Sequence, residues 1–238
     1  MANVSDDYTE RLTQACNASV EFSMRYKGLF HRFSLQQFYE MFAQEILFHK
    51  PIELLGGQVW GEGILVTYDC DDLQRMYDTG VISQGKVELL EGHIFAIPEQ
   101  SQEATTLELD LGMGLLYAVG DEACMKGGYI IELGAKTALM PGIAVLRGSN
   151  DRYDIRNASI GDVLLIAEAV NEKPEYFDFK LQALARADMP EYWLLNTQTK
   201  QLEVYSLSNG IEFEHHATLE VGQKVTPLEF PNREIRWW

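Results

Sequence analysis

Residues 163–170 read VLLIAEAV, an apolar run of strand length with a single carboxylate, Glu168, inside it. Its brevity and β-branched content mark a buried strand rather than a surface one. Further strand-type runs fall at 129–133, 143–146, 191–195 and 201–207. Leu107, Leu111, Leu115 and Ala118 recur at helical spacing and predict a helix after the polar stretch EQSQEATT, weakened by Gly112 and Gly114. A second helix is predicted over 175–187, with Pro174 near its first turn and Asp188-Met-Pro190 ending it. Residues 150–159 read as a charged connecting loop, and Asn209-Gly210 as a two-residue turn from the 201–207 strand into another at 211–216. Helix, strands, helix, strands in that order predict an α/β or α+β domain, a mixed sheet flanked by helices.

The first half carries a repeated pattern. Segments 41–60 and 76–95 match at an offset of 35 residues, with Met41/Met76, Glu53/Glu88, Leu54/Leu89, Leu55/Leu90 and Gly57/Gly92 identical. Each predicts a short amphipathic helix (35–47 and 71–79, the second capped by Asp69 or Asp71), a strand, a turn at the glycine and a second strand. Two copies are too few for a solenoid, so the pattern reads as a local duplication. Residues 1–67 are then an N-terminal extension with a partial copy, and 68–238 the main domain. Glu53 belongs to the copy without the downstream strands and is expected at a turn or on the surface.

Composition narrows the classes. The chain has 238 residues, 46% of them hydrophobic, enough for one sizeable core. Its first residues show no basic stretch leading into an apolar one, and no apolar run approaches the roughly 18–20 residues needed to span a bilayer, so a soluble, cytoplasmic protein away from membranes is expected. Cys16, Cys70 and Cys124 are far apart without metal-ligand spacing and read as reduced thiols. Triplets at Asn3, Asn17 and Asn157 fit the glycosylation pattern but mean nothing without a secretory route. A formal charge of −17 repels nucleic acid and anionic membranes. With Lys and Arg scattered, binding DNA would require a divalent metal, an oligomer or a basic partner. His215 and His216 are adjacent, so on a strand they face opposite sides and do not chelate one ion. Gly112-Met-Gly114 lacks the third glycine of a dinucleotide fingerprint. Trp237-Trp238 fits either the core or an interface, the interface being preferred, and a homodimer is among the expected partners.

Two residues stand out chemically. A carboxylate in a buried strand persists only with a cation, a donor or a raised pKa to compensate lost hydration. On the 175–187 helix, Lys180 falls in the apolar arc with Tyr176, Phe177, Leu181, Ala183, Leu184 and Ala187, where it needs an anion or must snorkel. Glu168 and Lys180 are therefore expected to meet. By themselves they favour a structural ion pair or a snorkelling lysine over a site.

The segments VELLEGHIF (87–95), MPGIAVLRG (140–148), DVLLIAEAV (162–170) and YFDFKLQALARADMPEYWLLN (176–196) add a further reading. From Lys86 to Tyr205 the chain resembles the restriction-endonuclease domain family of bacteria, a branch of the PD-(D/E)XK nuclease superfamily, with PEYW the most specific element. The resemblance implies a restriction-endonuclease-like mixed sheet flanked by helices and a Mg2+- or Mn2+-dependent site that hydrolyses DNA phosphodiesters. It implies Glu168 as catalytic metal ligand, Lys180 as catalytic ammonium and Glu88 as a supporting acid that also holds metal. Lysine, usually two residues after the strand acid, is here replaced by Val170, with Lys180 on the next helix in its stead. The chain departs from the family at Gly142, where the Pro-Asp motif has its Asp, and at SQEATT, where a His is common. Two expectations follow: a Mg-dependent endonuclease, or a nuclease fold without catalysis that serves as a binding or assembly module.

Overall fold

Polar caps and tight turns set the elements of the first half of the chain. The computed structural model describes residues 4–47, 51–55, 57–85, 87–153 and 157–237. Asn3, Lys86 and Trp238, positions 48–50 and 56 of the first repeated segment and positions 154–156 of the charged loop lie outside the described residues. The chain divides into two units, Met1–Ile97 and Pro98–Trp238. Among the described residues no helix is long and apolar enough to cross a membrane.

In the first unit, α1 (Val4–Arg25) leads to α2 (Leu35–Ala43). Strands β1 (Ile52–Leu55), β2 (Gln58–Gly61) and β3 (Ile64–Leu65) form an antiparallel sheet. Then come α3 (Cys70–Asp78) and the hairpin β4 (Val87–Leu90) and β5 (His93–Ala96). Both short helices start with a capping box. Ser34 Oγ accepts the Gln37 N–H at 3.1 Å while Gln37 accepts the Ser34 N–H, and Asp69 pairs likewise with Asp72. The predicted helix over 35–47 stops at Ala43, because Glu45 turns to a φ of 56° that a right-handed helix cannot contain. The pattern predicts nothing for α1, whose C-terminal end joins an aromatic cluster in which Phe22 and Tyr26 meet edge to face at 4.9 Å. Glu53 is exposed, whereas Glu88 is 2% exposed and pairs across the hairpin with Phe95.

The second unit opens with α4 (Gln102–Val119), followed by β6 (Ala123–Lys126), β7 (Ile131–Gly134), β8 (Thr137–Leu139), β9 (Ile143–Arg147), β10 (Ala158–Ser159) and β11 (Val163–Val170). Helix α5 (Phe177–Arg186) connects to β12 (Glu191–Asn196), β13 (Gln201–Ser208), β14 (Phe213–Glu220), β15 (Lys224–Val225) and β16 (Ile235–Arg236). Its main sheet runs β14-β13-β12-β11-β9-β6, with β11 and β12 parallel across the α5 crossover and the other neighbours antiparallel. Alternation along the strands sorts the two faces. Leu165, Ala167, Ala169, Trp193, Leu195 and Leu202 share one core with Ala104, Leu111 and Leu115 of α4. Burying a side chain such as Leu195 completely stabilises by about 1.5–3 kcal/mol. The residues between them, Glu168 and Tyr192 among them, point to the other face, where α5 contributes Phe177 and Lys180.

Several expectations need correction. Helix α5 starts at Phe177, two residues later than predicted, because Pro174 lies in the turn before it, where its carbonyl accepts the Phe177 N–H at 2.9 Å. The Asn209-Gly210 turn is a four-residue loop, since Asn209 Oδ1 accepts both the Ile211 and Glu212 N–H at 3.0 Å and ties the loop around its own side chain. The connecting loop at 150–159 contains a short helical turn, Asn150–Tyr153, and ends in β10. Of the two placements open to Trp237 the core is adopted, not the preferred interface: it is 3% exposed, belongs to the α4 core and donates its indole N–H to the Leu219 carbonyl at 3.3 Å.

Candidate functional site

The strand carboxylate and the helix ammonium meet. Lys180 Nζ donates to Glu168 Oε2 at 2.7 Å, and the Tyr192 hydroxyl donates to the same oxygen at 2.7 Å. Side-chain exposure is 7% for Lys180 and 16% for Glu168, so the pair is largely desolvated but keeps access to water. The ammonium also stands 5.9 Å from the centre of the Tyr192 ring, a cation–π distance. The sequence dictates this local arrangement. Glu168 and Tyr192 lie on neighbouring parallel strands, and Lys180 is one turn into the helix that joins them.

A second carboxylate stands beside the first. Glu108, on α4, accepts the Ala169 N–H at 2.9 Å and the Gln100 amide at 3.0 Å, both on Oε2. Gln100 also donates to the Ala169 carbonyl at 2.7 Å. These contacts exist because the sheet ends here: β9 begins at Ile143, paired with Ala167, and Pro141 has no N–H with which to extend the pairing. Burial raises the Glu108 pKa above the usual carboxylate value and the charge of Glu168 adds to the rise, against the two donors.

Gly142 is one residue outward from the Ile143–Ala167 pair, as Glu168 is on the other strand. A Cβ built on Gly142 would stand 2.0–2.3 Å from the three atoms of the Glu108 carboxyl group. The helix acid therefore fills the space that a side chain at 142 would take. Glu108, Gln100 and Tyr192 have no place in the sequence reading. Glu108 sits outside the apolar spacing of its helix, Gln100 lies in a polar stretch before it, and Tyr192 figures only as part of a motif; nothing local marks them.

Glu88 lies in the first unit, buried in β4, and the cluster just described is built from residues of the second. On the same strand row as Glu168, Glu203 takes hydrogen bonds from Lys173 at 2.7 Å and Tyr205 at 2.5 Å and lies 3.2 Å from His216 Nε2. Burial pushes the Glu203 carboxyl up, but these partners outweigh it and hold it below the usual carboxylate range. His216 stacks on Tyr205 and pairs with it across the sheet, whereas His215 pairs with Ser206, so the two imidazoles part as strand alternation requires.

The family model described as "Putative restriction endonuclease", named Uma2, matches residues 70–237. The chain belongs to this family. The crystal structure of a putative nuclease belonging to DUF820 from Anabaena variabilis is similar in fold, with a TM-score of 0.50 and 14% sequence identity over 61% of this chain and 83% of that chain. No curated protein matches the chain. The mixed sheet flanked by helices is thus the fold of a nuclease family, and Glu168, Lys180 and Gly142 occupy Uma2-matched positions.

Proposed function

We propose that this Uma2 protein is a metal-dependent endonuclease that hydrolyses DNA phosphodiester bonds with Mg2+ or Mn2+. The observation that carries the reading is the 2.7 Å contact between Glu168 and Lys180 on a strand and helix of the family core. The donor set fits a small hard cation. Mg2+ takes one or two protein carboxylates and keeps the rest of its shell for water and phosphate. Glu168 commits Oε2 to Lys180 and Tyr192, while Oε1 carries no hydrogen bond among the described residues. A bound cation acidifies a coordinated water and neutralises charge growing on the phosphate. Lys180 supplies a fixed positive charge for the phosphate oxygens, and its position in a largely desolvated pair strengthens that charge relative to water. Tyr192 holds the carboxylate in one orientation. Glu88 enters the proposal as a supporting acid and metal ligand on the strength of its motif position alone.

Supercoiled plasmid incubated with Mg2+ or Mn2+ tests the reading. Wild-type protein is expected to nick or linearise it, and Lys180→Ala to lose at least about 100-fold in rate, the order of an electrostatic contact made in the transition state. Cleavage unchanged by Lys180→Ala would refute the assignment. Because that variant leaves Glu168 with Tyr192 alone, its melting temperature is measured alongside. Gly142 and the charge of −17 favour a second reading, a nuclease fold that binds or assembles without cleaving. Calorimetric titration with Mn2+ separates the two, since tight binding by the wild type counts against the second.

A further inference from the structure

We infer that Glu108, a residue of helix α4, replaces the strand acid missing at Gly142 and is, with Glu168, the second carboxylate that the Pro98–Trp238 unit supplies to the metal. The inference rests on the metal-dependent reading above and deepens it, because it states how the site remains complete without an acid in the Pro-Gly dipeptide.

Two observations support it. The first is steric: a Cβ on Gly142 would stand 2.0–2.3 Å from the three atoms of the Glu108 carboxyl group, so a side chain at 142 would have to push that carboxyl out of its present place. Loss of a side chain at one position and arrival of a carboxylate from another element are two sides of the same packing arrangement. The second is the division of labour between the oxygens. Glu108 holds Gln100 and the Ala169 N–H with Oε2, and among the described residues its Oε1 has no hydrogen bond. Glu168 is disposed in the same way, with Oε2 engaged by Lys180 and Tyr192. Each acid is held in place by one oxygen and offers the other. Two carboxylates disposed in this way suit a divalent cation. A hard cation with oxygen ligands is the chemical class that matches.

Gln100 has a positioning role in this arrangement. Its amide ties the Glu108 carboxylate to the Ala169 carbonyl, the backbone group next to Glu168. The sheet edge that Pro141 leaves unpaired thus becomes the support on which the helix acid rests.

The test is a Mn2+ titration of the full chain by calorimetry, with plasmid cleavage as a separate readout. Glu108→Gln keeps the size and an acceptor oxygen while removing the charge, and is expected to weaken Mn2+ binding by at least about tenfold, the lower range for disturbing a metal site. Glu108→Ala combined with Gly142→Asp moves the acid to the strand, and is expected to recover most of the Mn2+ affinity that Glu108→Ala alone loses. Glu108→Gln binding Mn2+ like the wild type, while Glu168→Gln does not, would overturn the inference and leave the nuclease reading intact. Recovery failing in a double variant that melts like Glu108→Ala would also overturn it. Wild-type protein that neither binds Mn2+ nor cleaves plasmid would remove the nuclease reading itself, and the inference with it.

Discussion

Glu191 shows how a single buried acid couples this fold to pH. It is 2% exposed, accepts the Trp193 indole N–H at 2.8 Å and the Leu228 N–H at 2.7 Å, and is pushed up to about 7 because burial outweighs both donors. The folded state therefore keeps a proton that the unfolded chain releases near its ordinary value of 4.5. Stability contributed by this group is full below that value and is lost as pH rises to about 7, by about 3 kcal/mol in all. Thermal melts between pH 5 and pH 8 should show the decline. Glu191→Gln should flatten it while starting lower at pH 5, because the amide nitrogen cannot accept one of the two N–H groups, a loss of about 1–3 kcal/mol. An equally steep decline in the variant would assign the pH dependence elsewhere. Burial of Glu108 acts in the same direction.

Among the elements, α4 has the most to hold in register, since one side of it enters the core and Glu108 projects from another. Ser101 caps it, its hydroxyl accepting the Ala104 N–H at 3.1 Å, and Asn171 accepts the Ser101 N–H at 3.2 Å from the end of β11. Ser101→Ala should cost about 1 kcal/mol in denaturant unfolding, and Ser101→Gly only a few tenths. Equal losses would mean that the hydroxyl is not the capping group. Two glycines interrupt the helix, and one has a packing reason: a Cβ on Gly114 would approach Ile235 Cγ2 to 2.9 Å, so alanine there would force the Ile235 side chain or the helix to shift. That contact offsets the roughly 1 kcal/mol by which glycine weakens a helix interior. The helix itself is legible in its apolar spacing. Its start is not, because the polar residues of the first turns lie on the solvent side and carry no periodicity that distinguishes them from a loop.

At the scale of the molecule, charge would set the terms on which the proposed substrate, DNA, is met. The chain carries −17, and Arg147, Lys173, Lys200 and Arg233 are each paired with a carboxylate. Repulsion of this kind reaches about 30 Å at 0.01 M salt but only about 10 Å at 0.1 M. With saturating Mg2+, the initial rate of plasmid nicking should therefore rise between these concentrations, the reverse of the trend for proteins that bind DNA through a basic face. A rate that falls steadily with added salt would show that a local cationic surface dominates the long-range field. Under the proposed function a metal would matter beyond chemistry, since a divalent cation at two carboxylates would lower the repulsion where phosphate must approach.

Local pattern was enough to identify the strand holding Glu168, the helix holding Lys180 and the helix-then-hairpin order of the first unit, because periodicity and capping depend on neighbours a few residues away. It was also enough to place Glu168 and Lys180 together, since a buried acid and a buried amine on consecutive elements have few other partners. It could not decide between core and interface for Trp237, or find the four-residue loop at Asn209, because both depend on which atoms are available to accept or fill at a distance. Nor could it connect Glu108 with Gly142, 34 positions apart. Their relation is one of excluded volume between a helix and a strand end, and it arises only when the chain is folded.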